Sequence, residues 1–89
     1  MSVFPGGSAW AMARDISDGF LLVTARTFGR MQAAQIEQVV AEINRRLRDV
    51  RSEQPDLDDI QALRKRNMRI QRLNGALTIV RGLRSKRRR

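Results

Sequence analysis

Residues 33–50 read AAQIEQVVAEINRRLRDV. Ala33, Ile36, Val40, Ile43, Leu47 and Val50 recur at alternating steps of three and four, the spacing that holds a narrow apolar seam along one side of an α-helix. The residues between them are mostly Gln, Glu, Asn and Arg, which a helix tolerates. The seam predicts a helix over 31–52. Glu53-Gln54-Pro55-Asp56 follows as a turn, because Pro55 has no N–H to continue a helical ladder and biases Gln54 towards extended backbone. Asp56 can cap a next helix, with Asp58 and Asp59 in its first turn, where the helix dipole favours negative charge. That third helix is predicted over 57–83, and Leu63, Ile70, Leu73, Leu77 and Val80 repeat the seam with Arg66 in one of its places. Asn74-Gly75 has turn chemistry, but the apolar pattern resumes beyond it without a phase slip. The helix is therefore read through, at a cost of about 1 kcal/mol for the glycine, with a break there as the alternative. Two long helices joined by a short turn make an antiparallel helical hairpin.

Upstream of the seam, residues 1–7 read as a flexible leader, since Phe4-Pro5-Gly6-Gly7 is turn chemistry. Ser8 can cap a first helix over 8–26, in which Ile16, Phe20 and Val23 share one face. Gly19 weakens that helix, and Phe20 to Thr24 would also suit a strand. Phe28-Gly29 marks a break. The fold class is all-α: an antiparallel hairpin of two long helices plus an N-terminal helix, in a single domain over 8–83 with a basic tail at 84–89. A chain of 89 residues buries only about 60–65% of its unfolded surface, so its own core is marginal. In the second half of the third helix, Leu77 and Val80 face one way while Ile79 and Leu83 face the other. Either the first helix, packed within the same chain, or a second copy, dimerising into a helical bundle, would cover the second side.

Charge is divided unevenly along this chain. Its formal net charge is +9, from 18 Lys and Arg against nine Asp and Glu. Every acidic residue precedes Ile60, and the segment 60–89 is basic throughout. A one-signed field of that density attracts a polyanion, most commonly nucleic acid. Nearly all the cations are arginine, whose planar guanidinium grips phosphate with two parallel hydrogen bonds. Lys65, Arg69 and Arg72 recur at i, i+4, i+7 with Arg64 and Arg66 beside them, a basic track about 10 Å long expected on the helix face opposite the seam. Arg81, Arg84, Lys86, Arg87, Arg88 and Arg89 form the densest cluster, of the kind read as a nucleic-acid tail. Arg45, Arg46, Arg48 and Arg51 close the second helix, where cations also suit the dipole. Asn67 and Asn74, one heptad apart beside the seam, fit a register role or exposed amides better than base reading.

Other chemistries are poorly served. The sequence has no cysteine and no histidine, which removes disulfides, thiolate or imidazole metal sites and histidine acid–base catalysis. Its carboxylates lie beside arginines on helical segments and form no pair placed for catalysis. No enzyme activity, cofactor, metal or catalytic residue is expected. No apolar run reaches the length of a membrane span, and no secretory signal pattern is present, so a cytoplasmic, host-cell or virion-internal location is expected. A basic amphipathic element on an anionic membrane surface is a third possibility, though a narrow seam suits protein packing better.

The basic third carries no aromatic residue. That disfavours single-strand binding, which stacks bases on aromatic platforms. What remains is sequence-independent gripping of a duplex backbone by paired helices, with a slight lean to RNA over DNA. The competing reading is a coiled-coil subunit of a larger viral, phage or secretion particle, with the basic arm docked on an acidic protein partner. No family motif is present. In layout alone, residues 31–89 resemble two kinds of protein: small helical-hairpin ribosomal proteins, and the dimeric helical RNA-silencing suppressors of small RNA viruses. The likeness rests on no specific residues.

Overall fold

The computed structural model describes residues 3–87, the last of them by its backbone alone. All regular structure among the described residues is helical: α1 (Ala9–Asp18), α2 (Ala25–Gly29), α3 (Ala33–Ser52) and α4 (Ile60–Arg87). The all-α class expected from the sequence is observed.

The N-terminal helix is shorter than the expected 8–26. Ser8 does cap it, its hydroxyl accepting from the Ala11 N–H at 3.0 Å. Gly19 then takes a left-handed conformation (φ 84°), and the N–H groups of Gly19, Phe20 and Leu21 fold back onto the last carbonyls of α1. This closure satisfies carbonyls that would otherwise be orphaned, and glycine enters it without steric penalty. Residues 20–24 continue as an irregular link rather than helix or strand. The expected face of Ile16, Phe20 and Val23 is accordingly dissolved: Ile16 and Val23 are buried while Phe20 points into solvent. The short α2 follows, with Phe28 fully buried. In the leader segment, Phe4 packs partly buried against the core and its carbonyl accepts from Gly7, so residues 4–7 form a turn anchored to the domain.

α3 begins at Ala33, where the Gln32 N–H donates to the Gln35 side-chain carbonyl at 2.8 Å. Its buried stripe is Ile36, Val39, Ile43, Leu47 and Val50. Ala33 is exposed, and Val40 is only half-buried. The strict seam thus relaxes into the wider stripe of a globular helix, because α3 must cover two neighbours rather than one. α4 starts at Ile60, later than the expected Leu57. The cap is Asp59 rather than Asp56, its carboxylate accepting from the Ala62 N–H at 3.0 Å. At the other end α4 continues past residue 83 to Arg87, so Arg84 to Arg87 of the expected tail are helical; Arg88 and Arg89 lie outside the described residues. The helix passes through Asn74-Gly75 unbroken.

α1 packs against both α3 and α4, α3 against α4, and α2 against α4. Met12, Ile16, Phe28, Val39, Ile43, Leu73, Ala76 and Val80 meet in the resulting core, with Leu63 and Ile70 half-buried towards the turn end. The 28 residues of α4 extend about 42 Å and set the long axis of a slab 47 × 30 × 18 Å. The shortest dimension is close to two helix layers: α1 and α2 on one side, α3 and α4 on the other.

Candidate nucleic-acid interface

Arginines perform two kinds of task in this fold. Arg66, at a seam position, spans to the end of α3 and donates to the carbonyls of Arg51 (3.1 Å) and Glu53 (3.2 Å), groups that no helical N–H can reach. Arg72 donates to the Ser17 carbonyl at 3.2 Å and so closes the end of α1. It lies directly over Gly19, where an added Cβ would come within 2.8 Å of its guanidinium carbon. Arg69 is shared between Asp18 (3.7 Å) and Glu53 (3.6 Å), and Arg46 of α3 approaches the same Asp18 oxygen at 3.6 Å. Asp18 Oδ1 is buried and makes no direct hydrogen bond, so it holds α1, α3 and α4 together chiefly by charge. Arg84 pairs with Glu37. Arg14 bonds Asp15 and stacks over Trp10.

The expected track of Lys65, Arg69 and Arg72 therefore lies on the side of α4 that packs towards α1. Lys65 is exposed there, but Arg69 and Arg72 are half-buried and spent on internal bonds. Arg64, Arg81 and Lys86 are exposed and form no bond or ion pair within the described residues, as do Arg45, Arg48 and Arg51 of α3. The side chains of Arg87, Arg88 and Arg89 lie outside the described residues.

The internal bonds also define a second face. Contacts with α1 come from Arg46 on α3 and from Arg69 and Arg72 on α4; contacts between α3 and α4 come from Arg66, Glu37 and Arg84. Successive residues on an α-helix are about 100° apart, so the sides turned away from α1 are fixed. On α3 they carry Asn44, Arg48 and, at the edge, Arg51; on α4 they carry Asn67, Gln71, Asn74, Thr78 and Arg81. All of these are exposed. The α4 set falls at i, i+4, i+7, i+11 and i+14, one continuous polar ridge. The face has a single carboxylate, Glu37, and Arg84 offsets it. The remaining acids of the helices, Asp15, Asp18, Glu42 and Asp49, lie on or beside α1. The two-layer packing thus sorts charge that is mixed along α3 in sequence.

Two parallel rows of side chains, about 8–10 Å apart across packed helices, offer guanidinium donors for phosphates and amides able both to donate and to accept. The ridge was missed in the sequence because attention to charge passes over Asn, Gln and Thr; their heptad-like spacing was the available signal. Among the described residues no cluster of acidic side chains could hold a metal ion, and no helix is long and apolar enough to cross a membrane. In comparisons with known proteins, the chain matches no family model, no curated protein and no solved structure.

Proposed function

We propose that the chain is a nucleic-acid-binding module in which α3 and α4 act as an antiparallel hairpin and lay their outer face along the backbone of a duplex, without reading sequence. The observation that carries this reading is the outer face itself, with Arg48, Arg51 and Arg81 exposed and unpartnered and its one carboxylate neutralised. Phosphate contacts of this kind position a protein on a duplex and carry no sequence information. The preformed helices support it further, because their backbone is already ordered and loses little freedom on binding. The amide ridge of Asn67, Gln71 and Asn74 favours RNA: a 2′-hydroxyl both donates and accepts, and amides answer both. Arg81 and Lys86, exposed on either side of the Arg84–Glu37 pair, extend the same field towards the end of α4.

The competing role, a coiled-coil assembly subunit, draws less support, since the α3 stripe is spent on the chain's own core. The experiment is titration of nuclease-treated protein against labelled RNA and DNA duplexes of about 25 base pairs and a single strand, at two salt concentrations. Duplex binding that weakens steeply with salt is expected. Absence of duplex binding at low salt would reject the reading and assign the basic face to an acidic protein partner.

A further inference from the structure

The turn at Gly19 sets an aromatic ring beside the basic helix. The Phe20 and Leu21 N–H groups both donate to the Asp15 carbonyl, at 2.9 and 3.1 Å, and so fix the backbone where the chain leaves α1. The Phe20 side chain is nevertheless 84% exposed. It lines a hollow of ≈ 330 Å³ together with Asp18, Lys65, Met68, Arg69 and Arg72, a volume at the small end of ligand pockets. Arg72 is tied to the same turn, since it donates to the Ser17 carbonyl and its guanidinium lies over Gly19. Three cations thus line the hollow against one carboxylate, and Arg46 and Arg69 already engage that carboxylate. Lys65 is exposed and forms no bond or ion pair within the described residues.

We infer that this hollow takes an unpaired nucleotide, whose base stacks on Phe20 and whose phosphate pairs with Lys65. Single strands are held by aromatic platforms set in a cationic groove. The basic third of the sequence has no aromatic of its own; the fold supplies one from residue 20. The cations select an anionic occupant over an uncharged apolar one. Arg69 and Arg72 are half-buried, so part of the field arises within a concavity that a nucleotide can enter and the surface of a bilayer cannot. The inference rests on the reading of the chain as a nucleic-acid-binding module. It adds a second site, on the α1 side of α4 and apart from the outer α3–α4 face, for an overhang or a frayed strand end.

Fluorescence anisotropy with nuclease-treated protein tests it against a blunt RNA duplex, the same duplex with an unpaired overhang of about four nucleotides, and a single strand. The overhang is expected to tighten binding on the order of tenfold. Phe20→Leu is expected to abolish that gain and leave the blunt duplex unaffected, whereas Phe20→Trp keeps it, because stacking needs an aromatic face and not merely an apolar one. Leu22→Ala, on the same link and 91% exposed but outside the hollow, is expected to change nothing. Lys65→Ala should lower the magnitude of the single-strand salt slope by about 0.7. Far-ultraviolet spectra check that each variant keeps its helices. Equal affinity for blunt and overhanging duplexes, or a gain that survives Phe20→Leu, would overturn the inference and leave the duplex reading standing. Binding of the single strand that Phe20→Leu weakens, with no binding of the blunt duplex at low salt, would keep this site and remove the duplex reading. An absent gain, with phosphatidylglycerol vesicles bound through both Phe20 and Leu22, would overturn the inference in favour of a membrane surface.

Discussion

Replacing Arg48, Arg51 and Arg81 together with alanine isolates the outer face from the rest of the molecule's charge. Each of these side chains is exposed and makes no internal bond, so the triple variant should fold as the wild type does. The predicted effect follows from counterion release. On B-DNA each phosphate neutralised contributes about 0.9 to the slope of log affinity against log salt, so three lost contacts lower its magnitude by about 2.7. Between 50 and 200 mM salt, a fourfold change, one contact corresponds to about 3.5-fold in affinity and three to about 40-fold. The wild type should therefore lose about 40 times more affinity across that interval than the triple variant loses. Fluorescence anisotropy with a labelled duplex at three salt concentrations measures both slopes, and thermal melts of both proteins check the fold. Equal slopes would show that Arg48, Arg51 and Arg81 touch no phosphate, and would shift any binding to the other exposed cations, such as Arg45, Arg64, Lys65 and Lys86.

Other outcomes follow from the internal bonds. Gly19→Ala places a Cβ in a left-handed position and against Arg72; the backbone alone should cost about 1–2 kcal/mol, lowering the melting temperature by roughly 4–8 °C per kcal/mol in a domain this small. Arg69→Ala and Arg72→Ala should lower the melting temperature measurably while Lys65→Ala does not, because only the first two hold α1; three equal melts would show that those bonds carry no stability. Leu73→Ala, at a fully buried position, should cost about 2–5 kcal/mol, a large part of the stability of a small domain, as read by urea denaturation. N67A/Q71A/N74A should narrow any preference for RNA over DNA duplexes with little change in salt slope, and a preference left intact would remove the amide ridge from the explanation.

Much of the architecture was legible in the order of residues. The α3 stripe, the Pro55 turn, the Ser8 cap and the apolar positions Leu73, Leu77 and Val80 are local signals, and local backbone preference and burial act on them in the same direction. The errors fall where several signals compete. At Gly19 an apolar run favoured a longer helix, yet the left-handed closure onto Asp15 and Ile16 and the seat for Arg72 stop it. At the start of α4 three aspartates, Asp56, Asp58 and Asp59, stood close together, and the geometry of the turn selected Asp59 as the cap. Val39 displaced Val40 from the core of α3 because a helix flanked by two neighbours buries a wider arc than a coiled-coil seam.

Charge shows the division most clearly. Residue order and composition determined that this chain carries an excess of arginine, concentrated beyond Ile60, and that thiolate and imidazole chemistry are closed to it. Which arginines face outward was decided only by the tertiary structure. Arg66, Arg69 and Arg72 look interchangeable with Arg64 and Arg81 along the helix. They are set apart by carboxylates and open carbonyls brought from Ser17, Asp18, Arg51 and Glu53, residues distant in sequence. A guanidinium beside such a partner serves the fold, and one without it remains available to a ligand. That distinction depends on distance in space, which helical periodicity does not encode.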